Sequence, residues 1–276
     1  MQSTGSNSFD LKSSPTICRG VRRRILGIDL DYITMPQTLD CIGKMVATGG
    51  KHLIVTANVD HIITLQSDAE FRRIYRSASL ALCDSTPVLW ASYFLGLPLP
   101  ERVAGSDLVP RLCALAAQKG WRLFLLGGDP GVAEAATARL HSIHPQMKPV
   151  GFYSPPFGFE KDQSEMDKSV RTVAAHDPEI ILVALGAPKQ EKWAIGAMPH
   201  LGAKVYLGVG ASLDFIAGTR SRAPRWMRVS GLEWFYRFIQ EPGRLWRRYF
   251  IKDPLFFKLV LKQKWGTYRE PEDSKL

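Results

Sequence analysis

The chain has 276 residues, of which 45% are hydrophobic and 22% charged, and a formal net charge of +10. That length can bury a large core, and no apolar run reaches the roughly 18–20 residues that span a bilayer, so a spanning helix is not expected. The charge is concentrated: Thr219 to Gly266 holds eight Arg and four Lys against Glu233, Glu241 and Asp253, which leaves the remainder nearly neutral.

Residues 1–20 are polar and rich in Ser and Thr, and read as a disordered lead. Arg22, Arg23 and Arg24 precede only a short apolar stretch, unlike a secretory signal, which places the protein in the cytoplasm. Short apolar runs then alternate with helix-length amphipathic segments. Strands are predicted over Arg24–Leu30, His52–Thr56, Leu80–Cys83, Trp121–Leu126, Pro149–Tyr153, Ile180–Leu185 and Lys204–Val209. Helical patterns lie between them, for example Gly105–Gln118, Gly131–Ser142 and Glu165–Ala175. Buried strands alternating with helices predict an α/β domain over 21–218, with a mostly parallel sheet flanked by helices on both faces.

Beyond it, Pro224, Pro242 and Pro254 divide the basic tail, because proline stops one helix or opens the next. Leu232–Gln240, Gly243–Lys252 and Leu255–Lys264 read as short amphipathic helices, so residues 219–276 form a basic helical appendage. Aromatic residues from Trp226 to Trp265 interleave with its charges. Such a segment suits an anionic membrane surface with an apolar layer beneath. Its apolar faces could instead cover the protein's own main domain, or a second copy in a homo-oligomer. Basic residues with aromatics also suit single-stranded nucleic acid, but Leu255–Leu261 is too apolar for a solvated groove, and no nucleic-acid partner is expected.

The four cysteines, Cys18, Cys41, Cys83 and Cys113, show no metal-binding spacing and read as single buried thiols, with neither a zinc site nor a disulfide. Asp29-Leu30-Asp31 has the D-x-D form that holds a divalent ion in many sugar transferases. It sits at the end of the first strand, too early for such a motif, so no metal site is assigned.

In a parallel sheet the loops after the strand ends form the ligand crevice. Here they read Thr56-Ala57-Asn58-Val59-Asp60, Asp84-Ser85-Thr86-Pro87, Gly127-Gly128-Asp129-Pro130-Gly131, Gly186-Ala187-Pro188-Lys189-Gln190-Glu191 and Gly208-Val209-Gly210-Ala211-Ser212-Leu213-Asp214. Glycine lets a backbone approach a phosphate or sugar closely with its N–H groups pointing at it, so a nucleotide-type ligand is favoured over ordinary turns. Asp84 follows a buried strand, where partial desolvation suits a carboxylate to general-base work; a helix N-cap fits it equally well. Thr56 and Asn58 could bond a substrate or cap the helix beyond.

These loops, together with Glu101–Leu108, Arg222-Ala223-Pro224-Arg225-Trp226-Met227, Gly231-Leu232-Glu233-Trp234 and Gln240–Tyr249, resemble the WecG/TagA/CpsF family of bacterial glycosyltransferases over about Ile25 to Lys262. The resemblance implies a Rossmann-like sheet and an inverting transferase that needs neither metal nor cofactor. Its substrates would be a UDP-sugar, N-acetylmannosamine type, and a polyprenyl-diphosphate-linked sugar acceptor, met as a peripheral protein on the inner face of the cell membrane. It assigns Asp84 as general base and Thr56 and Asn58 to the reacting sugars. Gln190 would lie in the donor site and Asp214 near the uracil, while Arg237, Arg244 and Arg247 would reach the site from the appendage. Arg102, Gly127, Gly186, Lys189, Gly208 and Gly210 complete the expected substrate-binding set. Two positions depart from the family pattern: Ser85 stands where Gly is usual, and Gly210-Ala211-Ser212-Leu213-Asp214 replaces Gly-Gly-Ser-Phe-Asp. Transfer of glucose or glucuronate is the alternative within this chemistry, and a membrane-bound scaffold without catalysis the alternative outside it.

Overall fold

A computed structural model describes residues 18, 20–224, 227, 233–240, 243, 246 and 253–271. The first predicted strand is instead a hairpin of β1 (Arg22–Ile25) and β2 (Ile28–Asp31), outside the main sheet. Leu26 and Gly27 both take positive φ, 49° and 82°, the conformation that reverses a twisted two-stranded ribbon in two residues. Antiparallel register places Arg22 opposite Asp31 and Arg24 opposite Asp29, and both pairs form salt bridges. The D-x-D carboxylates are therefore committed to arginines. Asp31 is also buried and accepts from the Ala81 amide at 2.7 Å, which docks the hairpin.

After α1 (Met35–Thr48), the main sheet begins with β3 (His52–Ala57). Helices α2 (Val59–Ser67) and α3 (Ala69–Ser77) lead to β4 (Leu80–Cys83), followed by α4 (Thr86–Phe94) and α5 (Gly105–Lys119). Then come β5 (Leu123–Gly127), α6 (Val132–Ile143), β6 (Gly151–Tyr153), α7 (Gln163–His176), β7 (Ile180–Ala184), α8 (Lys189–Ala197), β8 (Val205–Gly208) and α9 (Ser212–Ala217). Six strands pair in the order β4-β3-β8-β7-β5-β6, all parallel, as the apolar runs predict. Alternate residues of β3 separate onto the two faces. Leu53, Val55 and Ala57 join one core with α2, α3 and α8, while Ile54 joins another with α1, α5 and α6.

Two helices of the C-terminal region are described, α10 (Glu233–Gln240) and α11 (Asp253–Lys264). The predicted Gly243–Lys252 helix lies almost wholly outside the described residues, as does the lead before Cys18. Helix α11 buries Phe256 and Val260 in the α2 side of the core. Gln263 and Tyr268 bond the hairpin and α2, and Glu270 pairs with Arg24.

The cysteine expectation is corrected in one pair. Cys18 and Cys41 are disulfide-bonded with Cα atoms 5.9 Å apart, whereas Cys83 and Cys113 are buried thiols. The chain entering the hairpin passes alongside α1, a proximity that a sequence separation of 23 does not announce.

Asp31→Ala removes the carboxylate partner of the Arg22 guanidinium, which keeps only its longer bonds to the Ala78 and Ser79 carbonyls, and leaves the Ala81 amide without its acceptor. It is expected to lower unfolding free energy by about 3 kcal/mol in urea titrations, as breaking a buried pair does. Asp29→Ala, at the exposed end of the same hairpin, should leave the midpoint almost unchanged.

Candidate active site

Every strand of the main sheet delivers its C-terminal end to one cavity of about 830 Å³. The residue following each strand lines it: Asn58, Asp84, Gly128, Ser154, Leu185 and Val209. The first residues of α4, α5, α8 and α9 also line it, so several helix N-termini point their partial positive charge at the same space.

On the β3–β4 side, the Asp84 amide donates to Ala57 O, and its Oδ1 accepts from the Gly105 amide at 2.8 Å. The carboxylate is thus fixed by the first turn of α5. Asn58 caps α2, its Oδ1 accepting from the His61 amide at 3.1 Å, while its residue still faces the cavity. Thr56 is buried and donates to Gly208 O at 3.2 Å, joining β3 to β8 at the cavity floor. Arg102 lines this side with its guanidinium 3.4 Å from Asp107, which also receives Arg222 at 2.9 Å.

On the β5–β8 side, two glycines allow close packing. A Cβ on Gly127 would lie 2.5 Å from Ala184 O, and one on Gly208 would meet Gln190 Nε2 at 2.7 Å. Neither lines the cavity; they bring its walls together from behind. Gln190 Oε1 accepts from the Gly210 amide at 3.1 Å, and its Nε2 donates to Glu191 Oε1 at 2.7 Å. Gly186 and Gly210 form open parts of the wall. Lys189 is held between the Glu160 carboxylate and the Phe157 ring, whose centroid is 5.2 Å away. Asp214 is buried at the rim and pairs with Arg220 at 3.3 Å.

The expected residues Thr56, Asn58, Asp84, Arg102, Gly186, Lys189, Gln190, Gly210 and Asp214 therefore share one cavity. Arg244, Arg247 and the side chain of Arg237 lie outside the described residues. The appendage does reach the site through α10, since Gln240 lines the cavity and bonds Ser221. Sequence reasoning missed the Ser154–Glu160 wall, Arg220, His61 and Glu191. His61 lines the cavity and its Nδ1 is 2.6 Å from the Tyr75 hydroxyl. Glu191 is fully buried, its Oε2 has no partner, and burial pushes its carboxyl up to about 7. Among the described residues, no three His, Cys, Asp or Glu stand together so as to hold a metal ion.

The model of the glycosyl transferase WecG/TagA/CpsF family matches residues 23–270. The chain is also similar to the N-acetylglucosaminyldiphosphoundecaprenol N-acetyl-beta-D-mannosaminyltransferases of Staphylococcus aureus strains MRSA252, MW2 and NCTC 8325. Each is 31% identical over 242 residues, covering 87% of this chain and 92% of the relative.

Glu191 predicts a pH-dependent stability. Its carboxyl keeps a proton in the folded state that the unfolded chain releases from about pH 4.5 upward, so stability falls as pH rises from about 4.5 to about 7 and levels off above that. Relative to Glu191→Gln, which cannot titrate, the wild type should lose about 3 kcal/mol between about pH 5 and about pH 8. Urea unfolding at both values measures this; an equal gap at the two would remove Glu191 as the titrating group.

Proposed function

Because the chain belongs to the WecG/TagA/CpsF family of glycosyl transferases and is itself a glycosyltransferase, we propose that it moves N-acetylmannosamine from a UDP donor onto a polyprenyl-diphosphate-linked N-acetylglucosamine. The single observation that carries the site assignment is Asp84. It stands at the end of a buried strand, faces the cavity, and has one oxygen held by the Gly105 amide. That bond orients the carboxylate so that it can take the proton of an acceptor hydroxyl as the oxygen attacks the anomeric carbon.

In this reading the new carbon–oxygen bond forms on the face opposite the departing UDP, so the anomeric configuration inverts. The anomeric carbon–phosphate oxygen bond breaks, and the diphosphate leaves with the bonding pair. Its charge needs fixed positive groups in place before the bond breaks. Arg102 and Arg220 supply guanidinium forks at the cavity, and the N-terminus of α8 supplies backbone N–H groups. Lys189 can turn from Glu160 to a phosphate. These groups do the work that a divalent ion does in D-x-D transferases, which is the basis for proposing metal independence. Gln190 would hold the donor-side loop through Gly210, and Asp214 would sit beside the uracil. Arg237, Arg244 and Arg247 are retained as appendage arginines that close on the diphosphates.

The acceptor implies a membrane surface, and no described helix is long and apolar enough to cross one. Peripheral attachment at the cytoplasmic face, through the basic appendage, fits that requirement. Sugar choice is assigned to the neighbourhood of Ser85, whose hydroxyl is buried without a partner on the cavity wall.

Asp84→Asn keeps an oxygen for the Gly105 amide but removes the base. Turnover should fall about 100- to 10,000-fold with UDP affinity unchanged, measured by product formation and by calorimetry. Wild-type turnover in this variant would refute the assignment. Ser85→Gly should alter the ratio of turnover among UDP-N-acetylmannosamine, UDP-glucose and UDP-glucuronate, and an unchanged ratio would move the sugar determinant elsewhere.

A further inference from the structure

Residues 85–100, STPVLWASYFLGLPLP, contain no charged side chain, yet much of this segment is on the surface. Helix α4 turns Val88, Ala91 and Ser92 inward. Its outer face carries Trp90, Tyr93 and Phe94, which are 54%, 56% and 49% exposed. Their spacing puts all three on one stripe, where a helix facing only water would carry charge.

The stripe does not stand alone. The Lys264 ammonium of α11 lies 5.4 Å from the centroid of the Phe94 ring, so the two helices adjoin. Helix α11 buries Phe256 and Val260 and leaves Phe257 and Leu261 exposed beside Lys258 and Lys262, with Trp265 exposed just past its end. Segments from distant parts of the chain thus build one surface of aromatic rings margined by lysines.

We propose that α4 and α11 together form a bilayer-contacting face, on which Trp90, Tyr93 and Phe94 enter the headgroup region of an anionic lipid membrane. Aromatic rings with a polar edge prefer that depth, and lysines beside them reach lipid phosphate. The charge distribution favours lipid over a second copy of the chain: two copies meeting through this face would bring like lysines together. The proposal rests on the transferase reading and gives it a geometry. Thr86 and Pro87, in the first turn of α4, line the active cavity. Trp90 follows Pro87 by three residues, about 4.5 Å along a helix axis. An acceptor diphosphate at headgroup depth would then meet Asp84 without leaving the interface. Membrane contact is on this view shared by the catalytic domain rather than left to the basic tail.

The test compares the full-length chain with Trp90→Ser/Tyr93→Ser/Phe94→Ser, whose three sites are exposed, with unchanged urea midpoints confirming that the fold is kept. Co-sedimentation uses vesicles of phosphatidylglycerol and phosphatidylcholine in equal amounts. The triple variant should bind at least about tenfold more weakly. Its KM for a long-chain lipid acceptor in those vesicles should rise, while kcat on a short-chain, water-soluble acceptor stays at the wild-type value. Vesicle binding equal to wild type would overturn the proposal. So would a wild-type dimer that the substitutions dissociate with no change in vesicle binding, because the face would then belong to a second copy. If neither acceptor is turned over by the wild type but the variant still loses vesicle binding, the lipid face stands and the transferase reading falls.

Discussion

Parallel alignment of the six strands is the constraint from which the site follows. Strands that run the same way place all their C-terminal ends on one edge, and each chain must turn there into a helix. The polar loops and the positive ends of the helices accumulate in a single place as a result. Two glycines make that edge close tightly. Gly127 lets β5 meet the Ala184 carbonyl, and Gly208 leaves room for Gln190 to reach beneath the Gly210 amide. A side chain at either position would push apart the walls that hold Asp84 opposite the loops after β5 and β7.

Much of this was legible because buried parallel strands are continuous apolar runs that stand out from their surroundings. β3, β4 and β7 fall within a residue of the expected limits, and the loops after them carry the expected side chains. The hairpin was not legible, since its reversal depends on a leucine at positive φ, which composition does not mark. The Ser154–Glu160 wall is not legible in the sequence, because its role comes from β6 lying at the sheet edge beside β5. Glu191 was visible only as one letter of a motif. Nothing local says that it is fully buried while its neighbour Lys189 lines the cavity.

The positive charge of the chain has more than one destination. The tail holds most of it, and its first two arginines, Arg220 and Arg222, lie just after α9 and engage Asp214 and Asp107 at the cavity rim. Arg102 meets the same Asp107 from the other side. Carboxylates here hold the arginines in place at the cavity rim.

The clasp between the hairpin and the C-terminal strand of contacts also bears on how the molecule is made. Arg24 and Glu270 are separated by 246 residues, Gln263 bonds Arg24 across 239, and Tyr268 bonds Gln66 across 202. During synthesis the hairpin emerges first and must wait for nearly the whole chain before its partners leave the ribosome. The entropic cost of closing so long a loop grows only logarithmically, but the closure itself comes last. Until then the α2 groove that receives Phe256 and Val260 is open and apolar. A nascent chain at that stage is exposed to aggregation, and formation of α11 both seals the core and sets this helix beside α4.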